Sequence, residues 1–233
     1  MNKIGIIGAM QEEVDILQAE MNISKKEVLA GMTFFSGELR NKEVVVVMSG
    51  IGKVNAAACA QILSTHYDVD LMVNTGVAGA IHPELEPGDL VISKDLAQHD
   101  MDVTGAGCPL GEIPRLGKTY FEADTRLIGV FEEAAKLKAK ESKIMIGRIV
   151  SGDLFVSAQD TKDFLWEHFG AYCAEMEGAA IAQIAYLNQV PFVVVRAISD
   201  KADGSAEVTY EEFVKDAAKM SASIVDEVLN RLA

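Results

Sequence analysis

Apolar positions along the chain gather into short unbroken runs rather than long stripes. Six stand out: "KIGIIGAM" (3–10), "EVVVVMSG" (43–50), "DLMVNTGVAG" (70–79), "GDLVISKDL" (88–96), "MIGRIVSGD" (145–153) and "FVVVRAISD" (192–200). A strand with one wet face alternates apolar and polar residues. Most of these runs do not, so they predict strands of a sheet covered on both faces. Between them the apolar spacing becomes helical and predicts helices over 11–21, 53–66, 125–138, 157–168, 177–188 and about 210–232. "GMTFFSGELRNKEVVVV" alternates across a turn at Asn41-Lys42, which predicts a hairpin and makes the sheet mixed. With no repeat, low-complexity tract or linker, the pattern predicts one α/β domain over 1–233, a central mixed β-sheet flanked by helices.

In open α/β sheets ligands gather outside the carboxyl ends of the strands. Those ends hold Met10, Gln11, Glu12 and Glu13; Ser49-Gly50-Ile51-Gly52; "NTGVAGA" (74–80); "SGDLF" (151–155); and "RAISD" (196–200). The last is the most telling. A wholly apolar strand ends in Arg196, Ser199 and Asp200, which sets an acid where a ligand would lie. The loop over 104–118 is the longest irregular piece, and long loops in compact domains are often functional.

Composition narrows the classes. Of 233 residues, 49% are hydrophobic and 24% charged, as in ordinary soluble globular proteins. The 35 acidic residues outnumber the 21 basic ones for a net charge of −14, with no basic block, which argues against nucleic acid and membrane surfaces as partners. Cys59, Cys108 and Cys173 are odd in number and widely spaced, the pattern of reduced thiols in a cytoplasm rather than a disulfide framework. The apolar start is cut off by Gln11, Glu12 and Glu13, too short for a membrane span, and lacks a small-residue cleavage site; it reads as a first strand.

Several tempting motifs fail. "SGIGKV" (49–54) has Val47 where a phosphate-binding loop needs its first glycine and Val54 where it needs a hydroxyl, so a turn and helix start is the better reading. "GIIGAM" (5–10) lacks the dinucleotide-binding spacing. "QHDMDV" (98–103) clusters His99, Asp100 and Asp102, but no second ligand pair is spaced to complete a metal site. "AEMEGAAIAQIAYL" (174–187) puts Glu177 at a helix start, either as a first-turn charge or as an ionised acceptor for two hydroxyls, kept ionised by the helix dipole.

Taken together, "IGIIGAMQEEV", "SGIGKVNAA", "VNTGVAGA", "IVSGD", "EMEGAAIAQ", "VPFVVVRAISD" and "TYEEFVKDAAK" run in order through nearly the whole chain. In this combination the sequence resembles the 5′-methylthioadenosine/S-adenosylhomocysteine nucleosidases of the purine nucleoside phosphorylase superfamily. The resemblance implies hydrolysis of an N-ribosidic bond to adenine and a thioribose, without metal or cofactor, by a homodimer. It makes Glu13 the base that activates water and Asp200 the acid that protonates the purine. Glu177 takes the ribose hydroxyls, with Met176 against the sugar. Phe155 stacks on adenine and the Val156 backbone reads its edge. Arg196 and Ser199 orient the two acids or the water, while Met10, Ile51, Gly79 and Tyr210 line the pocket, and Pro114 reaches across a dimer.

That division of labour needs one carboxyl protonated and the other not near neutral pH. Asp200, at the end of an apolar strand, is the candidate for a raised pKa, and Glu13, in a glutamate-rich first turn, is its ionised counterpart. The chain departs from the best-known members at Val77, where they carry serine, and at Ala106 and Cys108, where aromatic residues are common. These departures leave S-adenosylhomocysteine, 5′-deoxyadenosine or aminodeoxyfutalosine open beside methylthioadenosine. A phosphate-dependent phosphorylase and a nucleoside-binding protein without turnover are the alternative functions.

Overall fold

The computed structural model describes residues 3–232; Met1, Asn2 and Ala233 of the expected 1–233 span lie outside them. In chain order the elements are β1 (Ile4–Gly8), α1 (Gln11–Glu20), β2 (Asn22–Leu29), β3 (Met32–Leu39), β4 (Lys42–Met48), α2 (Lys53–Thr65), β5 (Leu71–Ala80) and β6 (Leu90–Gln98). There follow β7 (Phe121–Glu122), α3 (Thr125–Lys138), β8 (Ile144–Ser151), α4 (Gln159–Phe169), β9 (Ala171–Glu175), α5 (Gly178–Asn188), β10 (Phe192–Asp200) and α6 (Ala206–Arg231). All six apolar runs are strands, and all six expected helices form. The last begins four residues early because Asp203 accepts from the Ser205 N–H and hydroxyl, turning the chain into it.

One mixed ten-stranded sheet runs through the molecule in the order β10-β6-β8-β9-β5-β1-β4-β3-β2, with β7 on β6. It is not the open sheet expected from the sequence. β5 pairs with β1 only from Leu71 to Asn74, because β1 ends at Gly8. β9 takes up the vacated edge at Gly79 and Ala80, while β10 runs along the other side of β5 and also pairs with β6. Through β6, β8 and β9 the sheet thereby closes into a partial barrel. "NTGVAGA", expected to follow a strand, is itself strand, since both of its edges are bonded.

The hairpin between β3 and β4 turns at Arg40-Asn41, one residue before the expected Asn41-Lys42. Both residues have positive φ (52° and 59°), the geometry that matches the twist of a two-residue hairpin. β10 is buried along all nine residues, which explains its apolar run. Helices α1, α3 and α6 cover one face of the sheet over Ile4, Ile6, Val44, Val46, Val193 and Val195. Helices α2 and α5 cover the other over Ile7, Val45, Val47, Met72 and Val194. Neighbouring strand residues alternate between the two cores, so the buried strands show no polar alternation.

Candidate functional site

At the rim where β1, β5, β9 and β10 end lies a cavity of about 280 Å³. Of the residues expected at the site, Met10, Glu13, Ile51, Gly79, Phe155, Met176, Glu177, Ser199, Asp200 and Tyr210 line it. Arg196 and Val156 do not: both are buried behind the wall, Val156 in the apolar cluster under α4. Ala9, Val77, Ala78, Ala174 and Glu175 complete the lining.

Glu13 sits at the third position of α1 and folds back over the end of β1. One carboxylate oxygen accepts from the N–H groups of Ala9 (2.6 Å) and Met10 (3.0 Å), the other from Val77 (3.2 Å). It rests on Gly76, where an added Cβ would lie 2.6 Å from its oxygen. Asp200 ends β10, where a register shift pairs it with Gly79, and a Cβ there would lie 2.7 Å from its oxygen. Two glycines on one strand thus seat two acids three residues apart, roughly 10 Å along β5. The Asp200 carboxyl accepts from the Ala202 N–H (2.8 Å) and the Ser199 hydroxyl (2.9 Å).

Burial pushes the Asp200 carboxyl above the ordinary carboxylate range, as expected. It pushes Glu13 up as well, against the expectation of Glu13 as the ionised counterpart. The reason is that its side chain folds back over Gly8 and onto Gly76 of β5, leaving Glu13 only 3% exposed. Arg196 and three donated backbone hydrogen bonds pull its pKa back down against that burial.

Glu177 carries a second correction. It stands just before α5, but the free N–H groups of that helix do not serve it. Gly178 donates to Glu175 (2.8 Å) and Ala179 to the Ser151 hydroxyl (2.7 Å), while Glu177 accepts from Gly52 (2.8 Å). Burial and the neighbouring Glu175 charge raise the Glu177 pKa from 4.5 to about 7. The folded state therefore holds this proton more tightly than the unfolded chain does. Its contribution to stability is full below pH 4.5 and is lost as pH rises through about 7. Glu177→Gln keeps an acceptor for Gly52 and removes the buried charge. It is expected to raise the melting temperature at pH 8 by several degrees, at roughly 2–4 °C per kcal/mol, and to change it little at pH 4. Thermal melts at the two pH values check this.

Sequence reasoning missed Glu175. This residue bonds Arg196, the Ser151 hydroxyl and the start of α5, tying β8, β9 and β10 together. Arg196 spends its guanidinium on Glu175, the Asn74 side chain and the Val195 carbonyl, so it acts on Glu13 through space rather than by contact. A signal was available, since an arginine inside an apolar strand requires a buried anion. Asp100 of the His99-Asp100 cluster binds protein groups instead: Lys53 Nζ donates to Asp100 (2.5 Å) and Gln98 (3.1 Å), and the Asp153 N–H donates to Asp100 (3.0 Å). Among the described residues no group of three or more His, Cys, Asp or Glu is placed to hold a metal.

This fold, with paired carboxylates at the strand ends, defines the class. The chain belongs to the phosphorylase superfamily, whose family model matches residues 3–230. Within it, the chain belongs to the 5′-methylthioadenosine/S-adenosylhomocysteine nucleosidase family. It is 42% identical to that nucleosidase from Staphylococcus haemolyticus, over 98% of this chain and 100% of the relative. The Neisseria meningitidis nucleosidase in complex with methylthio-immucillin-A superposes with a TM-score of 0.95 at 37% identity, covering all of both chains. Futalosine hydrolase of Helicobacter pylori superposes with a TM-score of 0.93 at 33% identity, over 99% of this chain and 98% of that one.

Proposed function

We propose that the chain hydrolyses the N-ribosidic bond of 5′-methylthioadenosine and S-adenosylhomocysteine, giving adenine and the 5-substituted ribose. The observation that carries this reading is the seating of Glu13 and Asp200 on one strand, in one cavity. Glu13 takes a proton from water at the sugar side, and Asp200 gives one to purine N7, so the base departs neutral from an oxocarbenium-like sugar. Glu177 accepts the ribose hydroxyls, which favour its ionised form once bound. Phe155, 41% exposed and edge-on to Tyr210 at 5.6 Å, offers an aromatic surface at the mouth. Met176 packs against the sugar.

Water is favoured over phosphate because four carboxyl groups line the cavity and no Lys, Arg or His does, among the described residues. A phosphate dianion there finds no cationic side chain in the lining to hold it and is repelled by the Glu13 carboxylate that serves as the base. Adenine release from methylthioadenosine in phosphate-free buffer is the expected outcome; strict dependence on added phosphate rejects hydrolysis. A futalosine-type substrate is the second reading, supported by the small Ala106 and Cys108 in the 104–118 loop. Relative kcat/KM across 5′-substituted adenosines decides between the two.

The working form is read as a homodimer. Ile51, Val54 and Leu154 are 54%, 80% and 50% exposed beside the mouth, an apolar rim suited to a second copy whose Pro114 loop closes the site. The placement in a cytoplasm rests on the three free thiols; among the described residues no helix is long and apolar enough to cross a membrane.

A further inference from the structure

Asp200 owes its orientation to a turn held from outside the cavity. After β10 the chain passes through Lys201, Ala202 and Asp203 on its way to α6. Ala202 is fully buried and has φ of 51°, a left-handed conformation that a residue with a Cβ adopts only when its surroundings enforce it. In that conformation its N–H points at Asp200 and donates to Oδ1 at 2.8 Å. The neighbouring peptide is pinned by α4, where half-buried Lys162 extends its ammonium to donate to the Lys201 carbonyl at 2.5 Å. Lys162 does not line the cavity and touches no reacting group, yet the peptide it fixes is the one whose N–H aims the acid.

We propose that Lys162 is a positioning residue for the acid: its bond to the Lys201 carbonyl keeps Ala202 left-handed and its N–H on Asp200. This rests on the reading of Asp200 as the proton donor. The titratable groups facing Asp200 are Lys162 from α4, Asp203 in the turn, Tyr210 from α6 and Cys173 from β9. Of these, Lys162 alone is cationic, and it alone bonds the Lys201 carbonyl.

The test compares wild type with Lys162→Met and Lys162→Arg on 5′-methylthioadenosine in phosphate-free buffer, with melting temperatures recorded for all three. Lys162→Met is expected to lower kcat roughly tenfold, as a small misplacement of a reacting group does, with little change in KM. Lys162→Arg, which can still donate to the carbonyl, is expected to recover most of the loss. The alkaline limb of kcat/KM moves to higher pH in Lys162→Met, because Asp200 loses a nearby cation and a donated hydrogen bond that both favour its ionised form. A wild-type kcat with an unmoved alkaline limb in Lys162→Met overturns the proposal. So does a loss accounted for wholly by unfolded protein. A wild-type enzyme that releases no adenine sinks the reading of Asp200 instead. Carbon-13 titration of the Asp200 carboxyl then still decides the contact: a higher titration in Lys162→Met supports it, and an unchanged one refutes it.

Discussion

Asp200→Asn is expected to lower turnover of 5′-methylthioadenosine roughly 10²–10⁴-fold, the usual range for loss of a positioned proton donor, while the protein stays folded. Asparagine matches the shape of aspartate and keeps an oxygen for the Ala202 N–H or the Ser199 hydroxyl. What it lacks is an acidic proton to hand to the departing purine. Stability is not expected to suffer, because burial already raises the Asp200 pKa and the charged form is the costly one. KM is expected to change far less than kcat, since the donated proton matters most in the transition state. Rapid-quench measurement of adenine release, alongside thermal melting, checks both halves. Near-normal turnover in a folded variant would remove Asp200 from its role.

The largest expected loss of stability belongs to Arg196→Leu. Arg196 is 2% exposed, and its guanidinium bonds Glu175 and Asn74 deep in the wall of the site. Leucine leaves the Glu175 carboxylate buried without its cation, and breaking such a pair from one side costs about 3–5 kcal/mol. At roughly 2–4 °C per kcal/mol for a chain of this size, differential scanning calorimetry should show a fall of about 6–20 °C. The double variant Arg196→Leu/Glu175→Leu is expected to lose less than the sum of the two singles, because the stranded charge is gone. Additive losses would mean that the pair is not coupled. The single variant also deprives Glu13 of its nearest cation, so its pKa rises further and base catalysis at neutral pH weakens.

Much of this architecture was legible in the residues because burial leaves a simple mark. β1, β4, β5, β6, β8 and β10 lie between two helical layers, and their apolar runs report that directly. β2 was not legible. It is an edge strand whose "NISKKEVL" is largely exposed, with charges that suit an edge and erase any alternation. β9 was missed because five residues, "AYCAE", are too few to show a period. Its absence hid the closure of the sheet and with it the place of Glu175. The site residues were legible through strand ends and family likeness, yet the ionisation states of Glu13 and Glu177 were not. Those depend on which backbone N–H groups point at which carboxylate, a matter of tertiary geometry: Glu175 took the helix start that Glu177 was expected to use.

The division of labour between the two acids is tested most directly by the pH dependence of kcat/KM for wild type, Glu13→Gln and Asp200→Asn, measured on one nucleoside in phosphate-free buffer. Wild type is expected to give a bell. Asp200→Asn should keep the fall at low pH and lose the fall at high pH, while Glu13→Gln should do the reverse. A bell that survives intact in either variant would contradict the account, because the group that was removed would then not be the one whose proton moves.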